Sequence, residues 1–132
     1  TALTDARLCL FPRGRFDGFA RDHGDLQHRL LQRTLDDLDR TRAWMLLLGR
    51  KTAREKVATF LLDMARRLQA DQAGTIELPL SRQQIADILG TTIETVSRQM
   101  SDFKRRGIIA LVGRRGVRLV DGAALEALAE GV

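Results

Sequence analysis

The sequence predicts a mainly α fold with a small β component, and three observations carry that reading. Residues 25–48 contain no Gly or Pro and repeat apolar side chains at helical spacing. Two capping-box signatures, Thr52 with Glu55 and Ser81 with Gln84, mark the starts of further helices. In each, a hydroxyl and an acceptor three residues on can satisfy each other's backbone N–H groups. Two strand-like runs, 108–112 and 117–119, flank Gly113 and Gly116 as the arms of a hairpin would.

Length and composition bound what such a chain can do. A chain of 132 residues buries one ordinary core, or two small ones joined by a helix. No apolar run approaches the ~18 residues that suggest a membrane-spanning helix, so no membrane partner is expected. The single cysteine, Cys9, allows no intrachain disulfide and suits a reducing cytoplasm. His23 and His28 have no partners at metal-ligand spacing. There is no Gly-rich phosphate loop, no Cys–His arrangement and no tyrosine. No catalytic site, metal or cofactor is therefore expected in this chain.

The net charge of +5 is unevenly placed. Residues 81–120 hold eight Lys/Arg (Arg82, Arg98, Lys104, Arg105, Arg106, Arg114, Arg115, Arg118) against three acids (Asp87, Glu94, Asp102), a net of +5. Residues 1–80 carry +3 and residues 121–132 carry −3. The excess lies on one segment, as a polyanion-binding surface requires; the blander reading is a solvated basic face.

In chain order, residues 6–11 are strand-like but have no partner strand nearby, and a lone strand is unstable in water. Residues 1–24 are therefore expected to be the remnant of a larger domain, with a short helix from Gly14 to about Asp25 anchored by Phe16 and Phe19. Residues 25–48 would form a helix of ~36 Å. Gln27, Leu31, Thr34, Leu38, Thr41, Met45 and Leu48 follow the spacing of a coiled-coil seam, so this helix is expected to pair with a second copy. Trp44 is expected to be buried. Gly49 should break the helix and mark a boundary, leaving 49–132 as a second domain. Thr52 opens a helix with Val57, Phe60, Leu61, Met64 and Leu68 on its core face, ended by Asp71–Gly74. Ile76–Leu80 reads as a short edge strand, where Pro79 is tolerated.

Ser81 opens a helix with Ile85, Ile88 and Leu89 on one face, and Gly90 permits a left-handed exit. Thr91 and Thr92 can cap a second helix that runs to about Arg106 and stops at Gly107. Its Val96, Met100 and Phe103 form a packing stripe, which leaves Glu94, Ser97, Arg98, Ser101, Lys104 and Arg105 outward. Asp121 can cap a last helix that packs back through Leu125 and Leu128. Two helices across a tight turn, then a hairpin, make a winged helix–turn–helix. The outward face of the second helix carries an acceptor, hydroxyls and a forked donor, which suits the major groove of double-stranded DNA.

The run from Leu89 to Thr92 followed by Glu94, Ser97 and Arg98, an E-x-x-S-R pattern after L-G-T-T, resembles the Crp–Fnr family of bacterial transcription regulators, in the branch containing FNR and FixK. The cyclic-AMP-receptor branch usually carries Arg where Ile93 stands and Gly where Ser97 stands. The resemblance implies a cytoplasmic, sequence-specific regulator that binds DNA as a homodimer and has RNA polymerase as a further partner. It assigns residues 1–24 to the end of a β-roll sensor domain, 25–48 to a dimerisation helix and 49–132 to the DNA-binding domain. Effector-holding residues would precede Thr1. A cysteine near the place of Cys9 ligates an iron–sulfur cluster in oxygen-sensing members. A cluster needs four thiolates or substitutes, and this chain offers one, so none is expected here, whereas an intact parent could supply the rest.

Site roles follow from the chemistry of the side chains. Arg98 can donate two bonds to O6 and N7 of a guanine, and Glu94 can accept from a cytosine or adenine amine or buttress Arg98. Ser97 can bond a base edge or a phosphate, and Ile93 can touch a thymine methyl. The resemblance implies an inverted repeat with half-sites like TTGAT for these residues. Arg82, Gln83, Thr92, Thr95, Arg114 and Arg115 are expected at phosphates, which position the protein without reading sequence. The competing reading is a helical dimer whose winged domain binds another protein as an adaptor.

Overall fold

Hydroxyl caps set where the helices of the second half begin. In the computed structural model, which describes residues 5–131, both capping boxes form. Thr52 accepts from the Glu55 N–H while Glu55 accepts from the Thr52 N–H, opening α3 (Ala53–Arg67). Ser81 and Gln84 do the same for α4 (Arg82–Leu89). Before them lie α1 (Arg13–Asp22) and α2 (Gly24–Arg50); after them come α5 (Ile93–Arg105) and α6 (Gly122–Glu130). Three short strands, β1 (Thr75–Glu77), β2 (Ile109–Val112) and β3 (Gly116–Leu119), form one antiparallel sheet in the order β1-β3-β2.

The chain divides into two units between Leu46 and Leu47. In the first, residues 5–12 form neither helix nor strand, and Cys9, Leu8 and Leu10 are exposed, so the expected strand at 6–11 is not formed. With no neighbouring strand to bond, the backbone gains nothing from a sheet conformation. In α1, Ala20 is buried and Phe16 partly so, whereas Phe19, expected as an anchor, is exposed and stacks on His23 at 3.9 Å between ring centroids. The expected seam residues Gln27, Leu31, Thr34, Leu38, Thr41, Met45 and Leu48 are all exposed along α2, and Trp44 is half-buried rather than buried. The hydroxyls of Thr34 and Thr41 donate back to the carbonyls of Leu30 and Asp37, so both positions are satisfied polar groups within an apolar stripe.

Gly49 does not break α2, which continues to Arg50, with Lys51 N–H still bonded to the Leu47 carbonyl. A helical glycine costs only ~1 kcal/mol relative to alanine, too little to end a helix by itself. Thr52, extended at φ −66° and ψ 164°, separates the two helices. Likewise α3 ends at Arg67, with Leu68 extended, before the expected Asp71–Gly74 stop. Asp71 instead closes a turn by accepting from the Ala73 and Thr75 N–H groups at 2.9 and 2.8 Å, which delivers the chain into β1. Strand β1 is shorter than expected, with Pro79 outside it, and it does lie at a sheet edge.

The core of the second unit is built by α3, α4, α5, α6 and the sheet. Val57, Phe60, Leu61, Ile85, Leu89, Val96, Met100, Phe103, Ile109, Val117 and Leu125 are fully buried in it. Met64 and Leu68 are only partly buried. On α4, Ile88 is exposed and Ala86 is buried in its place beside Ile85 and Leu89. The packing face of this two-turn helix is centred between positions 85 and 86, which turns Ile88 outward. Gly90 takes the left-handed conformation (φ 60°, ψ 45°) that folds α4 towards α5. The hairpin turn has three residues, 113–115, because Gly116 already pairs with Val112 in the sheet. A Cβ at Gly116 would lie 2.5 Å from the Val112 carbonyl oxygen, so this glycine permits close strand approach rather than a special turn angle.

Phe103 is fully buried on the inner face of α5, and removing its ring takes away apolar burial and leaves a cavity. Phe103→Ala is expected to lower stability by ~3–5 kcal/mol, measured as a fall in the urea midpoint at unchanged slope.

Candidate nucleic-acid interface

Helix α5 is divided lengthwise into a buried and an open face. Val96, Met100 and Phe103 are at most 1% exposed, while Ile93, Glu94, Ser97, Arg98, Ser101, Lys104 and Arg105 are all exposed. The four expected base-reading residues, Ile93, Glu94, Ser97 and Arg98, thus lie together on the N-terminal half of one open helix face. Thr92 is the N-cap, its hydroxyl accepting from the Thr95 N–H at 3.3 Å, and the Thr92 and Thr95 hydroxyls are 3.1 Å apart. Both residues expected at phosphates therefore also hold the start of the helix, and Thr95 is half-buried.

Glu94 is fully exposed, and its carboxyl is held below the usual carboxylate range, first by its own backbone N–H and then by the Thr92 hydroxyl. No ion pair joins it to Arg98 among the described residues, so the expected buttress is not formed in the free chain. The arginine stands free for another acceptor. Farther along the helix the acids are engaged: Asp102 takes both Arg105 and Arg106.

A second group of cations gathers around the start of α4 and the wing. Arg82, Arg114 and Arg115 line one cleft of about 700 Å³ with Ser81, Glu77, Leu78 and Leu80. Arg114 and Arg115 are exposed at the hairpin tip, whereas Arg82 is half-buried. Its Nη1 has no hydrogen-bond partner among the described residues, and desolvation lowers its pKa below the usual arginine value. A phosphate in this cleft would lie among three guanidiniums, which bind it by charge-assisted hydrogen bonds. The Gln83 amide donates to Asp87 at 2.8 Å along α4, and Gln83 is not among the residues lining the cleft. Sequence reasoning missed a third element, Arg54 of α3, which shares a smaller cleft with Arg98, Ser101 and Arg105. Nothing in local periodicity links Arg54 to α5; only the packing of α3 against α5 brings them to one surface.

A carboxyl whose folded pKa is depressed contributes stability above the ordinary carboxylate range and loses it as pH falls through the folded value. At Glu94 that contribution depends partly on the Thr92 hydroxyl. Thr92→Ala is expected to move the Glu94 titration midpoint upward, as read by carboxyl NMR chemical shifts against pH.

Comparison with known proteins agrees with this geometry. The family model described as a Crp-like helix-turn-helix domain matches residues 55–128. The transcriptional activator protein FnrL of Cereibacter sphaeroides is 49% identical over 131 residues, covering 95% of this chain and 53% of that protein. The nitrogen fixation regulation protein FixK of Bradyrhizobium diazoefficiens is 42% identical, covering 97% of this chain and 54% of that protein. The solved structure of FixK2 from Bradyrhizobium japonicum superimposes with a TM-score of 0.81 at 42% identity, over 88% of this chain and 58% of that one. The chain spans about half the length of the curated relatives it matches. With a winged helix–turn–helix whose second helix opens on Glu94, Ser97 and Arg98, and with a matching family model over most of its second unit, this chain belongs to the Crp–Fnr family of transcription regulators, on the FNR/FixK-like side.

Proposed function

We propose that this chain is the DNA-reading part of a homodimeric transcription regulator, working in the cytoplasm, in which α5 enters the major groove of an FNR-type inverted repeat. The observation that carries the proposal is the exposure of Glu94, Ser97 and Arg98 on one face while the opposite face is fully buried. Arg98 donates to O6 and N7 of a guanine, Glu94 accepts from a base amine, Ser97 bonds a base edge or phosphate, and Ile93 touches a thymine methyl. Arg82, Arg114 and Arg115 hold phosphates from the cleft they share, with Thr92, Thr95 and Gln83 beside the groove. The relatives FnrL and FixK are named as an activator and a regulation protein, and RNA polymerase is the partner such a regulator would recruit.

The α2 stripe supplies the second copy. Leu31, Leu38, Met45 and Leu48 are between 42% and 69% exposed, more apolar surface than a lone helix leaves in water without a partner. Paired through this stripe, with Thr34 and Thr41 in it, two chains would set their α5 helices about 34 Å apart, one turn of DNA. In this division 25–48 is the dimerisation segment, 49–132 the reader and 1–24 part of the sensor.

Two outcomes are expected. Arg98→Ala costs ~1–3 kcal/mol per half-site on a duplex carrying the TTGAT inverted repeat and flattens the preference at one base pair, in fluorescence anisotropy against single-base variants of the site. Equal weakening on every duplex, or no preference by the unaltered chain for the repeat over a scrambled duplex, favours the adaptor reading instead. Leu38→Glu shifts the chain from dimer to monomer in sedimentation equilibrium, while the second unit keeps its thermal transition.

A further inference from the structure

The length of α5 raises a question that base reading does not answer. Thirteen residues span ~20 Å, whereas the major groove is only ~12 Å wide. With the N-terminal half at the base edges, the part beyond Arg98 passes the phosphate rim. The structure places a basic cleft of about 320 Å³ there, lined by Arg54, Arg98, Gln99, Ser101, Asp102 and Arg105. Arg98, Ser101 and Arg105 lie at i, i+3 and i+7, the stripe that also holds Glu94. Arg54 enters from the first turn of α3, is exposed, and makes no ion pair among the described residues.

The acids near this cleft are already engaged. Asp102 is paired with Arg105 and Arg106, while the Arg105 side chain stays largely exposed. Glu55, next to Arg54, is tied to the Thr52 N–H in the capping box. Among the described residues, Arg54 and Arg98 are thus the cations of this cleft without an ion pair; Arg98 is committed to the base edges, which leaves Arg54 for the rim, and Ser101 adds a hydroxyl donor to the lining.

We infer that Arg54, with Ser101 and Arg105, forms a second phosphate-binding cleft, separate from that of Arg82, Arg114 and Arg115, and that α3 is thereby a direct DNA-contacting element. This rests on the proposed DNA-reading function. A guanidinium at a phosphate releases counterions and reads no sequence, so its loss has a defined signature. Binding to the TTGAT repeat and to a scrambled duplex is measured by anisotropy from 50 to 300 mM potassium chloride, for the unaltered chain, Arg54→Ala and Arg54→Lys. The expected result is that Arg54→Ala weakens both duplexes by the same factor, about threefold to tenfold, and lowers the salt slope by about one unit per protomer. Arg54→Lys restores most of that slope, and all three chains keep the same ratio between the two duplexes. An unchanged affinity and slope in Arg54→Ala, with the unaltered chain still preferring the repeat, overturns the inference and leaves the proposed function standing. A loss of affinity in Arg54→Ala without a change of slope, or one not rescued by lysine, marks a structural role and overturns it too. No preference by the unaltered chain sinks the underlying function instead.

Discussion

The orientation of α5 about its own axis is the constraint on which the rest depends. A helix presents all its side chains around a cylinder, and only packing decides which ones meet solvent. Here Val96, Met100 and Phe103 are driven into the core formed by α3, α4 and the sheet, each gaining ~1.5–3 kcal/mol on burial. Arg98 lies two residues beyond Val96, close to the opposite side of the helix, so a rotation of roughly half a turn would carry it inward. An arginine buried without a partner costs several kcal/mol more than the packing could return. The inner stripe therefore fixes the outer face, and the outer face is where Glu94, Ser97 and Arg98 stand together.

Electrostatics then sorts the surface. The acids near α5 are satisfied within the chain: Glu94 by its own N–H and Thr92, Asp102 by Arg105 and Arg106, Asp87 by Gln83. Several cations are not. Among the described residues Arg98 makes no ion pair, the half-buried Arg82 has a buried nitrogen without an acceptor, and the wing carries Arg114 and Arg115 into the same cleft. A surface on which acids are spoken for and guanidiniums are free is arranged to receive an anion from outside. That pattern separates a DNA reader from a merely basic face more sharply than net charge does.

The features legible in the sequence were those decided within a few residues. Capping boxes, the left-handed Gly90 and the i, i+4, i+7 stripe of α5 depend on neighbours along the chain, so their residue types give them away. Ile88, Phe19 and the limits of α2 and α3 depend on what packs where. Ile88 is large and apolar, which places it inside on sequence grounds, yet Ala86 is the buried residue and Ile88 is 40% exposed. Gly49 was expected to stop a helix, but one glycine's propensity is weaker than the run of bonds around it. Gly116 reads in the sequence as one end of the hairpin turn, but what requires it is the closeness of β2 and β3. Arg54 was overlooked because its role arises 44 residues away, at Arg98, through a packing that no local pattern encodes.

Lys51 draws one more consequence from the fold. Its ammonium donates to the Ala129 carbonyl at 2.7 Å and to the Thr59 hydroxyl at 2.9 Å, and Gly131 lies against Glu55. The first helix of the second unit and its last are thus clasped at one corner, so that stretch of chain leaves where it arrives. A segment with joined ends can be cut from one polypeptide and spliced into a loop of another without stretching either host or guest. Such geometry makes the second unit a portable cassette.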